Sequence, residues 1–187
     1  MAVDAENLSL VVHPAEVLRR RALPVDPHDE EVRRVARKMI EVMRAEGGIG
    51  LAAPQVGLPW RLFVLDVPPE EGEPLVGASG ARLVSDGAMV FLNPELSDPA
   101  PGVVAMEEGC LSLPDIRGDV LRPAEITARA IGLDGTLFEL RAGGLLARCI
   151  QHENDHLDGV LIIDKMTMLS RMRVRSAVRA LERNAAR

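Results

Sequence analysis

The chain has 187 residues, a net charge of −6, 47% hydrophobic and 27% charged residues, the make-up of an ordinary soluble globular protein of a single domain spanning 1–187. No apolar run approaches the roughly 18 residues of a membrane span, and the acidic start Met1-Ala2-Val3-Asp4-Ala5-Glu6 lacks the basic region and apolar core of a signal peptide. Two cysteines make no disulfide framework, and one Trp, three Phe and no Tyr offer little for base stacking, so a cytoplasmic protein with no membrane or DNA partner is expected.

Along the chain, His13 and His28 stand in no pattern and are expected on the surface. Asp26-Pro27 reads as a helix N-cap followed by proline at the first helical position. Val32, Val35, Ala36, Met39, Ile40 and Met43 would be the buried stripe of that helix, and Gly47 its end. The run Gly47-Gly48-Ile49-Gly50-Leu51-Ala52-Ala53-Pro54-Gln55-Val56-Gly57 gathers small residues around one amide side chain. Glycine lets a backbone approach a ligand closely, and Gln55 can donate or accept without carrying charge. The alternative is a plain turn between helix and strand; the spacing is not that of a phosphate loop.

Arg61 to Val67 reads as a strand, Glu70 to Gly87 as a loop or an irregular hairpin, and Met89 to Leu92, Val103 to Met106 and Val120 onward as extended chain. In Glu107-Glu108-Gly109-Cys110-Leu111-Ser112-Leu113-Pro114, a cysteine follows glycine in an extended segment that the proline is expected to stop. Such a segment presents the sulfur and the next backbone N–H to one side. Ile126 to Ile131 and Thr136 to Leu140 flank Leu133-Asp134-Gly135, a hairpin signal.

The most telling stretch comes late. Leu145, Leu146, Cys149, Ile150, His152, Glu153, His156 and Leu157 recur at helical spacing between Gly143-Gly144 and Gly159. On a helix, His152 and His156 stand at i and i+4 and project from one face, where two imidazoles can hold one divalent cation. Glu153 then lies beside the ion as a candidate general base. The plainer reading is a surface helix with two solvated histidines. A catalytic site needs a third ligand, and the extended setting of Cys110 is modestly preferred over Cys149, which lies one turn before His152 but suits a small buried thiol; the alternative is two ordinary reduced thiols. Asp155 is expected to orient an imidazole or cap a neighbouring group, the alternative being simple solvation. Strands leading to a late, central helix predict an α+β fold, with antiparallel or mixed sheets packed around the His-Glu-x-x-His helix and further helices toward each terminus.

The segments Gly48-Ile49-Gly50-Leu51-Ala52-Ala53-Pro54-Gln55, Glu108-Gly109-Cys110-Leu111-Ser112 and Gln151-His152-Glu153-Asn154-Asp155-His156-Leu157 resemble, in order and separation, the three signature motifs of the peptide deformylases. The resemblance runs from about Val17 to about Lys165. It implies that Cys110, His152 and His156 bind one ferrous ion in the cell, with zinc, nickel or cobalt as substitutes. It implies Glu153 as the base, and the Gln55 amide with the Leu111 N–H as holders of the oxyanion. The substrates implied are new polypeptides beginning with N-formyl-methionine.

Ile49, Leu145 and Cys149 match positions lining the family's methionine pocket, while Gly48, Gly50, Glu108 and Gly109 match positions contacting the peptide. Arg117 matches an arginine that orients substrate, or else is a solvated loop cation. Two residues depart from the pattern: Asn154 is often apolar in relatives, and Arg148 replaces a residue apolar in some members. Arg148 would narrow the pocket or snorkel to its mouth.

From Asp164 to the end, seven basic residues face only two acidic ones. This helix, about 164–187, either docks on the ribosome, as in some deformylases, or packs Met166, Leu169, Met172, Val178 and Leu181 on the body. A monomer is expected. The competing functions are a zinc metallopeptidase, with Asp164 as its third ligand, and a non-catalytic metal-stabilised binding module closed by Cys110, Cys149, His152 and His156.

Overall fold

The computed structural model describes residues 3–68 and 87–185, so the expected Glu70 to Gly87 loop lies, apart from Gly87, outside the described residues. Helix α1 spans Glu30–Ala45 and starts three residues later than Asp26-Pro27 suggests. Its N-cap is Asp29, whose carboxylate accepts the Glu31 N–H at 2.8 Å. Asp26 instead closes a preceding turn, taking the His28 N–H on its side chain at 2.9 Å. Proline's missing donor suits a turn as well as a first helical turn, which is why the local pattern misplaced the start. Gly47, at φ 67°, and Gly48 return their N–H groups to the Arg44 and Met43 carbonyls and end the helix as expected.

Strands β1 (Gly50–Ala52), β2 (Leu62–Leu65) and β3 (Met89–Ser97) follow, and β4 (Val104–Cys110) pairs with β5 (Leu113–Arg122). Then come β6 (Glu125–Ile131) and β7 (Leu137–Gly143). Among the described residues, one antiparallel sheet has the order β1-β2-β3-β6-β7, and β4-β5 form a separate hairpin. Helix α2 spans Gly144–Leu157, a short α3 Ile162–Lys165, and α4 Met168–Ala185.

Period-2 geometry divides the core. Leu62, Val64, Val90 and Leu92 turn to one sheet face, where Val35, Met39 and Met43 of α1 cover them. Phe63, Leu65, Phe91, Ala128 and Leu140 turn to the other, against Leu146, Ala147 and Ile150 of α2. All three phenylalanines meet on that second face: Phe63 stacks on Phe91 at 4.6 Å, and Phe138 meets Phe91 edge-on at 5.1 Å. Each such fully buried side chain stabilises the fold by about 1.5–3 kcal/mol. Burial on both faces makes β2 a continuous apolar run rather than an alternating one.

Three further expectations change. Pro114 does not stop the extended segment, because Cys110 pairs with Leu113 across a two-residue turn and β5 runs on through the proline. His13 is buried rather than exposed, its Nε2 lying 3.2 Å from Glu182 Oε1 of α4. On α4, Leu169 and Met172 are 58% and 68% exposed instead of packed. The docked stripe is Ser170, Val174, Val178 and Leu181, at steps of one helical turn, with the Ser170 hydroxyl at 3.0 Å from the Asp119 N–H. Met172 lies some 200° around the helix from Ser170 and faces away.

Candidate active site

Three elements converge on one cavity of about 510 Å³. Helix α2, buried along most of its length, brings His152, Glu153 and His156; the end of β4 brings Cys110; the short 3-10 helix Ala53–Val56 after β1 brings Gln55. The ligand atoms of Cys110, His152 and His156 all lie within 4.8 Å of one another, and Cys110 Sγ is 3.2 Å from His156 Nε2. One thiol and two imidazoles are the donor set of an open, three-ligand divalent site. Burial, helped by the charge of His152, holds the His156 imidazole well below its usual range and so neutral, as ligation requires. At His152, burial works against charge, yet hydrogen bonds with Cys110 and Glu108 outweigh it and raise the group.

Glu153 is 3% exposed, and its Oε2 has no hydrogen-bond partner. Burial pushes its carboxyl up to about 7, against the lowering effect of nearby His152 and Arg122. A buried carboxylate with one unpartnered oxygen beside the donor trio is poised to exchange a proton with whatever enters. Gly50 makes room for it, since a Cβ there would sit 2.4 Å from Glu153 Oε1 and 2.8 Å from Cys149 Sγ. Gly48 is less constrained, because its Cβ would meet the tip of the half-buried Leu111 side chain, Cδ1 at 2.8 Å, which can move aside.

The Gln55 side chain is oriented by its neighbours. Its Oε1 accepts the Ala52 N–H at 2.8 Å, which leaves Nε2 directed at Cys110 Sγ, 3.6 Å away. The amide therefore presents a donor to the cavity.

Beneath the trio lies an ionic network. Glu108 accepts from Arg122 Nε at 2.7 Å and Nη2 at 2.9 Å, from Arg148 Nη1 at 2.8 Å, and lies 3.0 Å from His152 Nδ1. Burial alone would raise the Glu108 carboxyl, but the hydrogen bonds from His152 and Arg122 hold it well below the usual carboxylate range. Orienting an imidazole is thus the work of Glu108, not Asp155, which pairs with Arg122 at 2.7 Å and Lys165 at 3.4 Å. Arg148 neither snorkels nor reaches the pocket mouth: it is 6% exposed and bound inward to Glu108 and to the Val120 and Val104 carbonyls.

Cys149 stands outside the trio. Its thiol is held up by burial and points at the Ile49 carbonyl, 3.6 Å away. Asp164 is likewise elsewhere, capping Leu161 and pairing with Arg19.

A profile of the polypeptide deformylase family matches residues 7–172. The chain belongs to the polypeptide deformylase family. It is 43% identical to a peptide deformylase of Agrobacterium fabrum over 162 residues, 87% of this chain and 88% of that one. Its fold superposes on a Plasmodium falciparum peptide deformylase with a TM-score of 0.81 at 34% identity, covering 94% of this chain and 96% of that one. A Legionella pneumophila peptide deformylase gives 0.78 at 35%, covering 96% and 98%.

In this deformylase-family site, Gly48, Ile49, Gly50, Glu108, Gly109, Arg117, Leu145, Arg148 and Cys149 all line the cavity, together with Leu111. Arg117 pairs across the hairpin with Gly109, and a Cβ on that glycine would press on its guanidinium at 3.3 Å. Leu10, Met106 and Arg122 escaped the sequence reading. Leu10 and Met106 reach the wall from segments with no motif, and Arg122 is a lone cation at the end of a strand. Its burial at 3% exposure and its bonds to Glu108 and Asp155 mark it as structural to the site.

Proposed function

We propose that this chain is a metal-dependent peptide deformylase, hydrolysing the N-formyl amide of a polypeptide's first methionine to formate and a free amine. The observation that carries the reading is the buried Glu153 carboxylate, one oxygen of it without a hydrogen-bond partner, set beside Cys110, His152 and His156 at an open cavity. Cys110, His152 and His156 hold the metal, and Glu108 fixes the His152 ring from behind. What a divalent ion supplies there, when bound, is Lewis acidity and a water of lowered pKa. The donor set accepts several borderline ions, of which ferrous iron is our assignment in the cell, with zinc, nickel and cobalt as substitutes.

Glu153 takes the proton of the attacking water and passes it to the departing amine. The Gln55 amide and the Leu111 N–H receive the developing oxyanion, a role typically worth about 10²–10³ in turnover per donor. Ile49, Leu145 and Cys149 offer an apolar wall for the methionine side chain, and Arg117 stands at the rim for the peptide behind it. We take the enzyme to act as a single-domain monomer in the cytoplasm.

The exposed face of α4 supports ribosome contact. Arg175, Arg179 and Arg183 line it at steps of four, beside exposed Met172. Changing the three arginines to glutamate should reduce ribosome co-sedimentation while sparing activity on a short peptide; unchanged sedimentation would remove this part of the reading.

The deciding test is formate release from N-formyl-Met-Ala by anaerobically purified, iron-loaded protein beside Glu153→Gln. Release by the parent, lost in a variant that retains its metal, is the expected result. A metal-loaded parent that releases no formate would overturn the function.

A further inference from the structure

The two groups assigned to the oxyanion belong to different parts of the fold. Gln55 sits just after β1 of the five-stranded sheet, and Leu111 in the turn of the β4-β5 hairpin. A rigid relation between them needs something that grips both. The N-terminal segment does so with two backbone donors: the Val11 N–H bonds to the Gln55 carbonyl and the His13 N–H to the Ser112 carbonyl, each at 2.9 Å. Two residues of chain span at most about 7 Å, so these bonds cap the separation of the two carbonyls.

The segment is itself held on all sides. Leu8 and Leu10 pack against the α1 side of the core, and Val11 packs with Leu18, Leu113 and Ile116. The His13 ring is buried against Glu182 of α4. Ser112, at the far end of the grip, is fully buried.

We propose that Val11–His13 is a backbone clamp that sets the spacing of the two oxyanion donors, with Val11 and His13 as positioning residues and the His13–Glu182 contact as its outer anchor. The inference rests on the assignment of Gln55 and Leu111 given above. The clamp works through main-chain N–H groups, so a side-chain change at Val11 leaves its grip on Gln55 in place. A shift of an ångström at such donors typically costs on the order of a hundredfold in rate, and a loosened rather than broken clamp a fraction of that.

The test exchanges one amide at a time for an ester in the full-length, iron-loaded protein, using the hydroxy-acid analogues of valine at 11, histidine at 13 and valine at 12. Val12 is the control: its side chain is 40% exposed, and it is its carbonyl that accepts a bond, from Ala15. Expected are losses in kcat of about tenfold for the 11 and 13 esters, with KM within about twofold of the parent, and an unchanged kcat for the 12 ester. Gln55→Ala is measured alongside. If it loses turnover while the 11 and 13 esters match the 12 ester, or if their losses fall on KM alone, the clamp is refuted and the oxyanion assignment stands. If Gln55→Ala keeps its kcat, the assignment itself falls and the clamp with it.

Discussion

Replacing Glu108 by glutamine preserves shape while removing the charge on which Arg122, Arg148 and His152 converge. Arg122 keeps a second carboxylate, Asp155, at 2.7 Å. Arg148 is 6% exposed and has Glu108 as its carboxylate partner, so the variant strands a guanidinium among carbonyl groups. Breaking a buried pair in this way costs about 3–5 kcal/mol. In a domain of this size each kcal/mol lowers Tm by about 2–4 °C, which gives a fall on the order of 6–20 °C. The loss of a carboxylate at His152 Nδ1 should also weaken metal binding by about 10–100-fold.

Thermal unfolding with and without metal, and competition against a chelator, read the two effects separately. Adding Arg148→Met to Glu108→Gln removes the stranded charge, so it should restore part of the Tm without restoring metal affinity. A Tm within about 2 °C of the parent, together with unchanged metal affinity, would show that the network is not what holds the site.

Other expectations follow from the same geometry. Gly50→Ala places a Cβ 2.4 Å from Glu153 Oε1, so turnover should fall by about a hundredfold in a protein that still binds metal; near-parental kcat would contradict the packing around the base. Cys149→Ala should retain one metal per chain by elemental analysis and Cys110→Ala should not, the reverse result exchanging the two cysteines' roles. Gly159 has φ 74°, and a Cβ there would lie 2.6 Å from the Arg19 carbonyl oxygen. Gly159→Ala should therefore cost at least about 1–3 kcal/mol in denaturant unfolding. Glu108 has a folded-state pKa below its unfolded value, so its stabilisation is complete above about pH 4.3 and fades as pH falls. Glu108→Gln should flatten the acid side of the stability curve, measured by urea unfolding from about pH 5 down to about pH 2.

Much of the site was legible because it is local. The i, i+4 spacing of His152 and His156, with Glu153 between them, needs only a helix to bring both imidazoles to one face with the carboxylate beside them, and Gly143-Gly144 and Gly159 bracket that helix in sequence. The stripe Val32, Val35, Ala36, Met39 and Met43 likewise specifies its buried face through the helical period alone. Helix ends were less legible. Asp26-Pro27 and Asp29 both carry N-cap chemistry, and the choice between them is made by the turn that joins α1 to the chain before it.

What tertiary structure alone decided concerns residues far apart in the chain. Residue pattern prefers Cys110 over Cys149 only modestly, and the difference is made by the β4-β5 hairpin, which carries one to His156, and by α2, which turns the other toward the Ile49 carbonyl. The same folding brings Arg122 and Arg148 onto Glu108 and makes it the partner of His152, a duty that adjacency in sequence had suggested for Asp155. It also buries His13 under α4 and puts the solvent-facing side of that helix at Leu169 and Met172. Periodicity reports which face of an element is apolar. Which buried charges meet depends on how separate elements dock, and that is settled by packing and by the need to pair every desolvated charge.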